Sequence, residues 1–240
     1  MASFAQFDGQ DGAAHLAEFF REVGPLEDPR PVLPNVVAAY EGLVPDILRD
    51  LWVEAGTGGL HDGRFRIVRP DLYSEVALAY FGPDPADGGD RDLGGDSHIV
   101  GLTAFGDLIV WNTRHWLVMV LQSLNLVEAP MLARPDIKTH PDRQFLTYIL
   151  RADPALFDRT DDAGEPMFER ALAALGPLQP DEIYAPDLTD PVADVTTVES
   201  LVIVDAETWL IQRAMTWNFT LSDLADGQMM IRPVPQGIAP

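Results

Sequence analysis

Cysteine is absent from the 240-residue chain. Disulfides, thiolate metal ligands and thiol nucleophiles are therefore excluded. Lysine is nearly absent, since Lys138 stands alone beside fifteen arginines. With abundant Ala, Asp, Gly and Pro, that bias is the codon signature of a GC-rich genome. Long apolar runs are missing too. Even a run as long as Trp116 to Leu121 is far shorter than the ~20 residues a membrane-spanning helix needs. The opening Met-Ala-Ser-Phe-Ala-Gln-Phe-Asp has neither a basic nor an apolar segment. No secretory signal is expected, and the chain reads as cytoplasmic.

Positive charge is scarce overall. Thirty-eight acidic residues face sixteen basic ones, for a net charge of −22. Such a field repels nucleic acids and anionic membranes, and it attracts and steers a basic partner. It also keeps a protein soluble, which is the plainer reason for it. Hydrophobic residues at 47% and charged residues at 22% are ordinary for a globular chain. The length fits one large domain or two small ones.

Catalytic signatures are also wanting. No Gly-x-Ser-x-Gly surrounds Ser97, Ser123, Ser200 or Ser222, and no Gly-x-Gly-x-x-Gly or phosphate-binding loop occurs. His15, His61, His98, His115 and His140 are scattered, without the spacing of a metal site. Asp107 and His115 read as a turn residue beside a strand residue rather than a catalytic pair. No catalytic, cofactor-binding or metal-binding residues are expected, and the chain reads as a binding protein rather than an enzyme.

What is present is a readable order of elements. Leu16, Phe19, Phe20 and Val23 mark an amphipathic helix ended by Gly24-Pro25. A short helix carries Val36, Val37 and Tyr40. Val44-Pro45-Asp46 opens a third, with Ile47, Leu48, Leu51 and Trp52 on its apolar face and Gly56 as its left-handed stop. Phe65 and Ile67 alternate as in a strand, and the stretch from Pro70 to Tyr80 is helix or strand. Three runs, 98–105, 108–112 and 115–121, are joined by Gly106-Asp107 and Thr113-Arg114, predicting an antiparallel meander. Beyond a proline-rich link near 130–141 the chain turns helical, through Phe145 to Leu150 and Met167 to Leu175. The run 201–215 has helical spacing, but Leu201-Val202-Ile203-Val204 is β-branched enough to leave its type open. The expected fold class is α+β: a twisted antiparallel sheet flanked by helices, with a small helical C-terminal unit. The expected division is 1–135, 136–216 and a loosely attached tail at 217–240.

Residues of the first unit resemble the GAD-like domain. They are Pro34, Tyr40 to Leu48, Trp52 to Gly56, Asp62-Gly63-Arg64-Phe65, Pro70-Asp71, Ala104 to Leu108 and Val110-Trp111-Asn112. The same features resemble the wider superfamily of bacterial immunity proteins. In the second unit, Phe168, Ala171, Leu175-Gly176-Pro177-Leu178 and Asp181-Glu182-Ile183-Tyr184 are similar to the C-terminal domain of a type VI secretion DNase-immunity family. Ala185 to Pro191 departs from that family's glycine-containing continuation. The resemblance implies an immunity protein, made beside a toxic effector and neutralising it by binding. The implied partner is a cognate toxin, a DNase with a basic active-site face. The alternative is an acidic interaction or regulatory module of the same superfamily, without a toxin.

The acidic side chains suggest where a partner would sit. From Arg151 to Glu207 there are fourteen acids and three arginines, a net −11. Asp161, Asp162, Asp181, Glu182, Asp187 and Asp190 are the candidate partner-binding residues, and Trp217 is a candidate interface anchor. The other reading of the same acids is solvated loops with a helix cap at Asp161 or Asp162. The loop bearing Asp84, Asp87, Asp90, Asp92 and Asp96 is either a cation site or an ordinary hairpin loop, and its spacing is not that of an EF-hand.

Overall fold

The computed structural model describes residues 12–82, 93–130, 138–187, 197–225 and 228–233. Helix α1 (Gly12–Val23) leads through β1 (Glu27–Arg30) and α2 (Pro34–Ala39) to α3 (Asp46–Glu54). Strands β2 (Thr57–Leu60) and β3 (Phe65–Ile67) follow. A 3-10 turn (Pro70–Tyr73) then runs into α4 (Ser74–Tyr80). The meander is β4 (Ser97–Thr103), β5 (Leu108–Asn112) and β6 (Trp116–Leu121), continued by β7 (Leu126–Glu128). The second half comprises α5 (Pro141–Phe145) with a π-helical extension (Leu146–Leu150), α6 (Phe168–Leu175), β8 (Glu182–Pro186), β9 (Leu201–Asp205), α7 (Ala206–Thr216), β10 (Thr220–Ala225) and β11 (Gln228–Pro233).

Nine strands form one sheet, ordered β1-β2-β3-β4-β5-β6-β7-β10-β11. Every pairing is antiparallel except β7 with β10, so the sheet is mixed at that join. The sequence-based expectation of α+β architecture holds, including the meander and both of its tight connections.

Period-two alternation assigns the central strands to two cores. Leu108 and Val110 face one core, with α4 and α7; Ile109 and Trp111 face the other, with α1 and α3. Helices therefore cover both faces, and every residue of β5 is buried. Leu16 and Phe19 on α1 and Ile47, Leu48, Leu51 and Trp52 on α3 are at most 1% exposed. Each such side chain contributes about 2 kcal/mol by leaving water.

Three helix starts are capped by carboxylates. Asp205 accepts from the Thr208 N–H at 2.8 Å and starts α7. Asp158 accepts from the Phe168 N–H at 2.9 Å and starts α6. The first turn of α3 is closed from 95 residues away, by Asp142 accepting from the Ile47 N–H at 3.0 Å. These bonds satisfy donors that a helix cannot satisfy internally.

Two sequence-based expectations are corrected. The unit expected to be helical also holds the antiparallel pair β8–β9, with 201–205 as a strand ahead of the helix. The expected tail supplies β10 and β11, and β10 joins the main sheet beside β7. Asp205 explains the first correction, since its cap breaks the run into strand and helix. Phe219 and Leu221, buried in the α4–α7 core, explain the second.

Candidate functional site

A cleft of about 470 Å³ opens along the seam between the β1–β3 end of the sheet and the second half of the chain. One bank is built by β1 and the β2–β3 turn, which carry Glu27, Asp28 and Asp62. The other bank is built where β8 begins and β9 meets α7, which brings in Asp181, Asp205 and Glu207. Between them the floor is apolar and aromatic, with Tyr73, Phe168, Leu172, Leu178 and Tyr184.

Local geometry explains the first bank. The chain reverses at Asp62, where φ is +59°, and its N–H donates to Glu27 at 2.8 Å. Gly56 ends α3 with φ +83°, and a Cβ there would stand 2.1 Å from the Arg30 carbonyl oxygen. Only glycine lets β1 cross so close. Partial burial raises the Glu27 carboxyl above the usual glutamate range. The Asp62 N–H opposes that shift, and the charges of Asp62 and Asp28 reinforce it.

Arginines hold the seam shut beneath the cleft. Arg66, 8% exposed, donates to the carbonyls of Gln179, at 2.6 Å, and Glu182. Burial lowers its pKa, while Tyr73, Asp181 and Glu182 counter that effect. Arg64 pairs with Glu169 at 2.5 Å and lies 4.5 Å over the Phe168 ring. Arg69 pairs locally with Asp71 and does not cross the seam. Further along, Arg159 donates to the Phe105 carbonyl and to Asp107, and Arg213 donates to the Gln122 carbonyl. Six carboxylates and three arginines thus line the cleft, and two of the arginines, Arg66 and Arg69, are bound within the chain.

The residues expected to bind a partner are dispersed. Asp181 is the one that lines the cleft. Asp161 closes its own turn, accepting from Ala163 and Glu165, and pairs with Arg170 at 2.5 Å. The Arg170 hydrogen bond holds its carboxyl below the usual range. Asp162 is exposed on the same turn. Glu182 turns back to accept from the Gln179 N–H at 2.7 Å. Asp187 is exposed beyond β8, and Asp190 lies outside the described residues. Trp217 is 38% exposed, with the Arg213 guanidinium 4.0 Å over its ring.

Glu27, Asp28 and Asp62 were not legible as site residues, whereas Asp205 and Glu207 were legible only as members of the acidic segment 151–207. Asp62 stood inside a recognisable Asp-Gly-Arg-Phe turn, but nothing in the sequence paired that turn with residues more than 100 positions away. Of the Asp-rich loop, Asp96 is described and pairs with Arg114 at 2.9 Å; Asp84, Asp87, Asp90 and Asp92 lie outside the described residues. Asp107 accepts from the Gln122 N–H as well as from Arg159, as befits a turn residue. Among the described residues, no cluster of three or more His, Asp or Glu is arranged to hold a metal ion. Among them too, no helix is long and apolar enough to cross a membrane.

In the N-terminal half a GAD-like domain is found at residues 14–125. A crystal structure of Atu4351 from Agrobacterium tumefaciens is similar throughout. It aligns with a TM-score of 0.77 at 28% identity, covering 90% of this chain and 96% of that one. The likeness therefore extends into the second half. No curated protein matches. The comparisons bring no match to a type VI DNase-immunity domain over 136–216.

Proposed function

We propose that the chain is an immunity protein that binds a cognate secreted toxin and occludes its basic active-site face. The toxin is a DNase in this reading. No cofactor and no catalysis by this chain are involved, and neither nucleic acid nor membrane is a partner. The observation that carries the reading is the carboxylate-lined cleft on a chain of net charge −22. A nuclease must approach a polyanion, so the surface around its active site is basic, and an acidic inhibitor competes for it. The GAD-like half agrees, since that domain fits a family of immunity proteins. Long-range charge sets the association rate, and a few buried contacts set the dissociation rate.

The test is co-expression. The adjacent gene is induced in a susceptible bacterium with and without this protein, and survival and chromosome integrity are scored. Killing with DNA breakdown, relieved only by this protein, is the expected result. Killing without DNA damage, still relieved, keeps the immunity role and removes the nuclease. A toxic neighbour without rescue moves the chain to the acidic interaction or regulatory module. For the purified pair, raising salt from about 50 to 500 mM should slow association at least tenfold and leave dissociation nearly unchanged.

A further inference from the structure

We infer that the seam cleft is a socket for an arginine-bearing loop of a protein partner. The site presupposes the inhibitor reading and adds to it the place and chemistry of contact. Charge complementarity selects a cation. Three carboxylates stand on each bank against three arginines, of which Arg66 and Arg69 are already bound within the chain; Asp62 is itself paired with Arg64, so five carboxylates and Arg30 set the balance. The floor selects a cation on a long apolar stem. Phe168, Leu172 and Leu178 line the same cleft, which suits the methylenes and flat face of arginine.

A separate observation points to a bound group. Tyr73 is 7% exposed and lines the cleft, yet its hydroxyl has no hydrogen-bond partner among the described residues. Asp181, Asp205, Glu207 and Arg66 all act on that hydroxyl electrostatically, which puts it at the second bank. The hydroxyl is not sealed from solvent, so it opens into the cleft and is free to donate to an incoming acceptor. A backbone carbonyl on the incoming loop would supply an acceptor. The occupant enters as a loop and not as an added strand. The edge strand β1 contains Pro29, which has no N–H, and its register breaks around Asp28, where φ is +46°.

The experiment titrates the isotopically labelled full chain with acetylated, amidated tri-arginine, followed by amide NMR in about 50 mM salt. Saturable shifts at Gly58, Gly59, Gly63, Tyr73 and Leu178 are expected. Asp28→Asn/Asp181→Asn/Glu207→Gln should weaken binding about tenfold. Glu41→Gln/Glu54→Gln/Glu75→Gln changes net charge equally at exposed positions off the cleft and should leave binding within about twofold. Tyr73→Phe should weaken binding about fivefold and leave the thermal midpoint unchanged, because no internal bond is lost. Shifts spread over the whole acidic surface would overturn the socket. So would equal losses in the two triple variants, or a Tyr73→Phe protein that binds as wild type. These results are independent of the rescue experiment. A failed titration beside successful rescue removes the socket alone, and specific binding beside failed rescue keeps the socket and removes the toxin.

Discussion

Glu27 sits where its negative charge is disfavoured. Burial and two neighbouring aspartates raise its pKa in the folded chain. The folded state therefore holds the proton more tightly than the unfolded state. The resulting strain on stability is present at neutral pH and disappears as pH falls through the raised folded value to the ordinary glutamate value. Glu27→Gln, which keeps an oxygen able to accept from Asp62, should be slightly more stable than wild type near pH 7. The gain is at most a few tenths of a kcal/mol, because the strand is exposed and solvent screens the charge. It should vanish below about pH 3, where the Glu27 carboxyl is protonated in the folded and the unfolded chain alike. Urea titrations of both proteins at the two pH values would show it. A variant less stable at neutral pH would mean that Glu27 is a net stabilising anion. The same substitution removes one carboxylate from the cleft, so it should also weaken binding of tri-arginine.

At the scale of elements, α7 depends on one side chain that also belongs to the cleft. Asp205 caps the helix through Thr208, and the helix carries Trp209 and Leu210 into the core. Asp205→Ala should cost about 1 kcal/mol in urea unfolding, whereas Asp205→Asn should cost a few tenths. Both lower the cleft charge equally, so comparing them separates the cap from the electrostatics. The β1–α3 crossing is less forgiving. Gly56→Ala must hold φ +83° and place a methyl 2.1 Å from a carbonyl oxygen that belongs to the backbone. It should destabilise by roughly 2 kcal/mol or more, read as a fall in urea midpoint without a change in slope. A wild-type midpoint would show that β1 moves away at little cost.

For the molecule as a whole, the two halves share their cores. Trp209, Leu210, Phe219 and Leu221 from the second half complete the core over α4 and β4–β7. Strand β10 covers the edge that β7 would otherwise present. Arg66, Arg159 and Arg213 each reach across to carbonyls of the other half. The full chain should therefore unfold in one urea transition, with tryptophan fluorescence and far-UV circular dichroism coinciding. Residues 1–135 expressed alone should lack cooperative unfolding, because they leave an apolar face and a strand edge open. A cooperative transition in that fragment would instead make the first 135 residues an independent domain.

Periodicity made much of this legible. Apolar spacing of 3.6 placed α1, α3 and α6, period-two alternation placed the meander, and Gly56, Gly106-Asp107 and Thr113-Arg114 punctuated them, because each of these signals comes from neighbouring residues. The ambiguous run 201–215 proved to be strand followed by helix, since the Asp205 cap competes locally with the apolar spacing. The segment 217–240 was unreadable because its strands are held by β7, about 95 positions earlier. The cleft was unreadable for the same reason. Its charge was visible as composition, and Asp181, Asp205 and Glu207 as part of a dense acidic segment. Which carboxylates face one another was decided only when β1 and the β2–β3 turn came to lie opposite β8, β9 and α7. The sequence by itself determined sign of charge, element types and core-facing positions, all properties of adjacent residues. Tertiary structure alone decided the seam, the two banks and the place of the Tyr73 hydroxyl at the second, because they join residues that only long-range packing brings together.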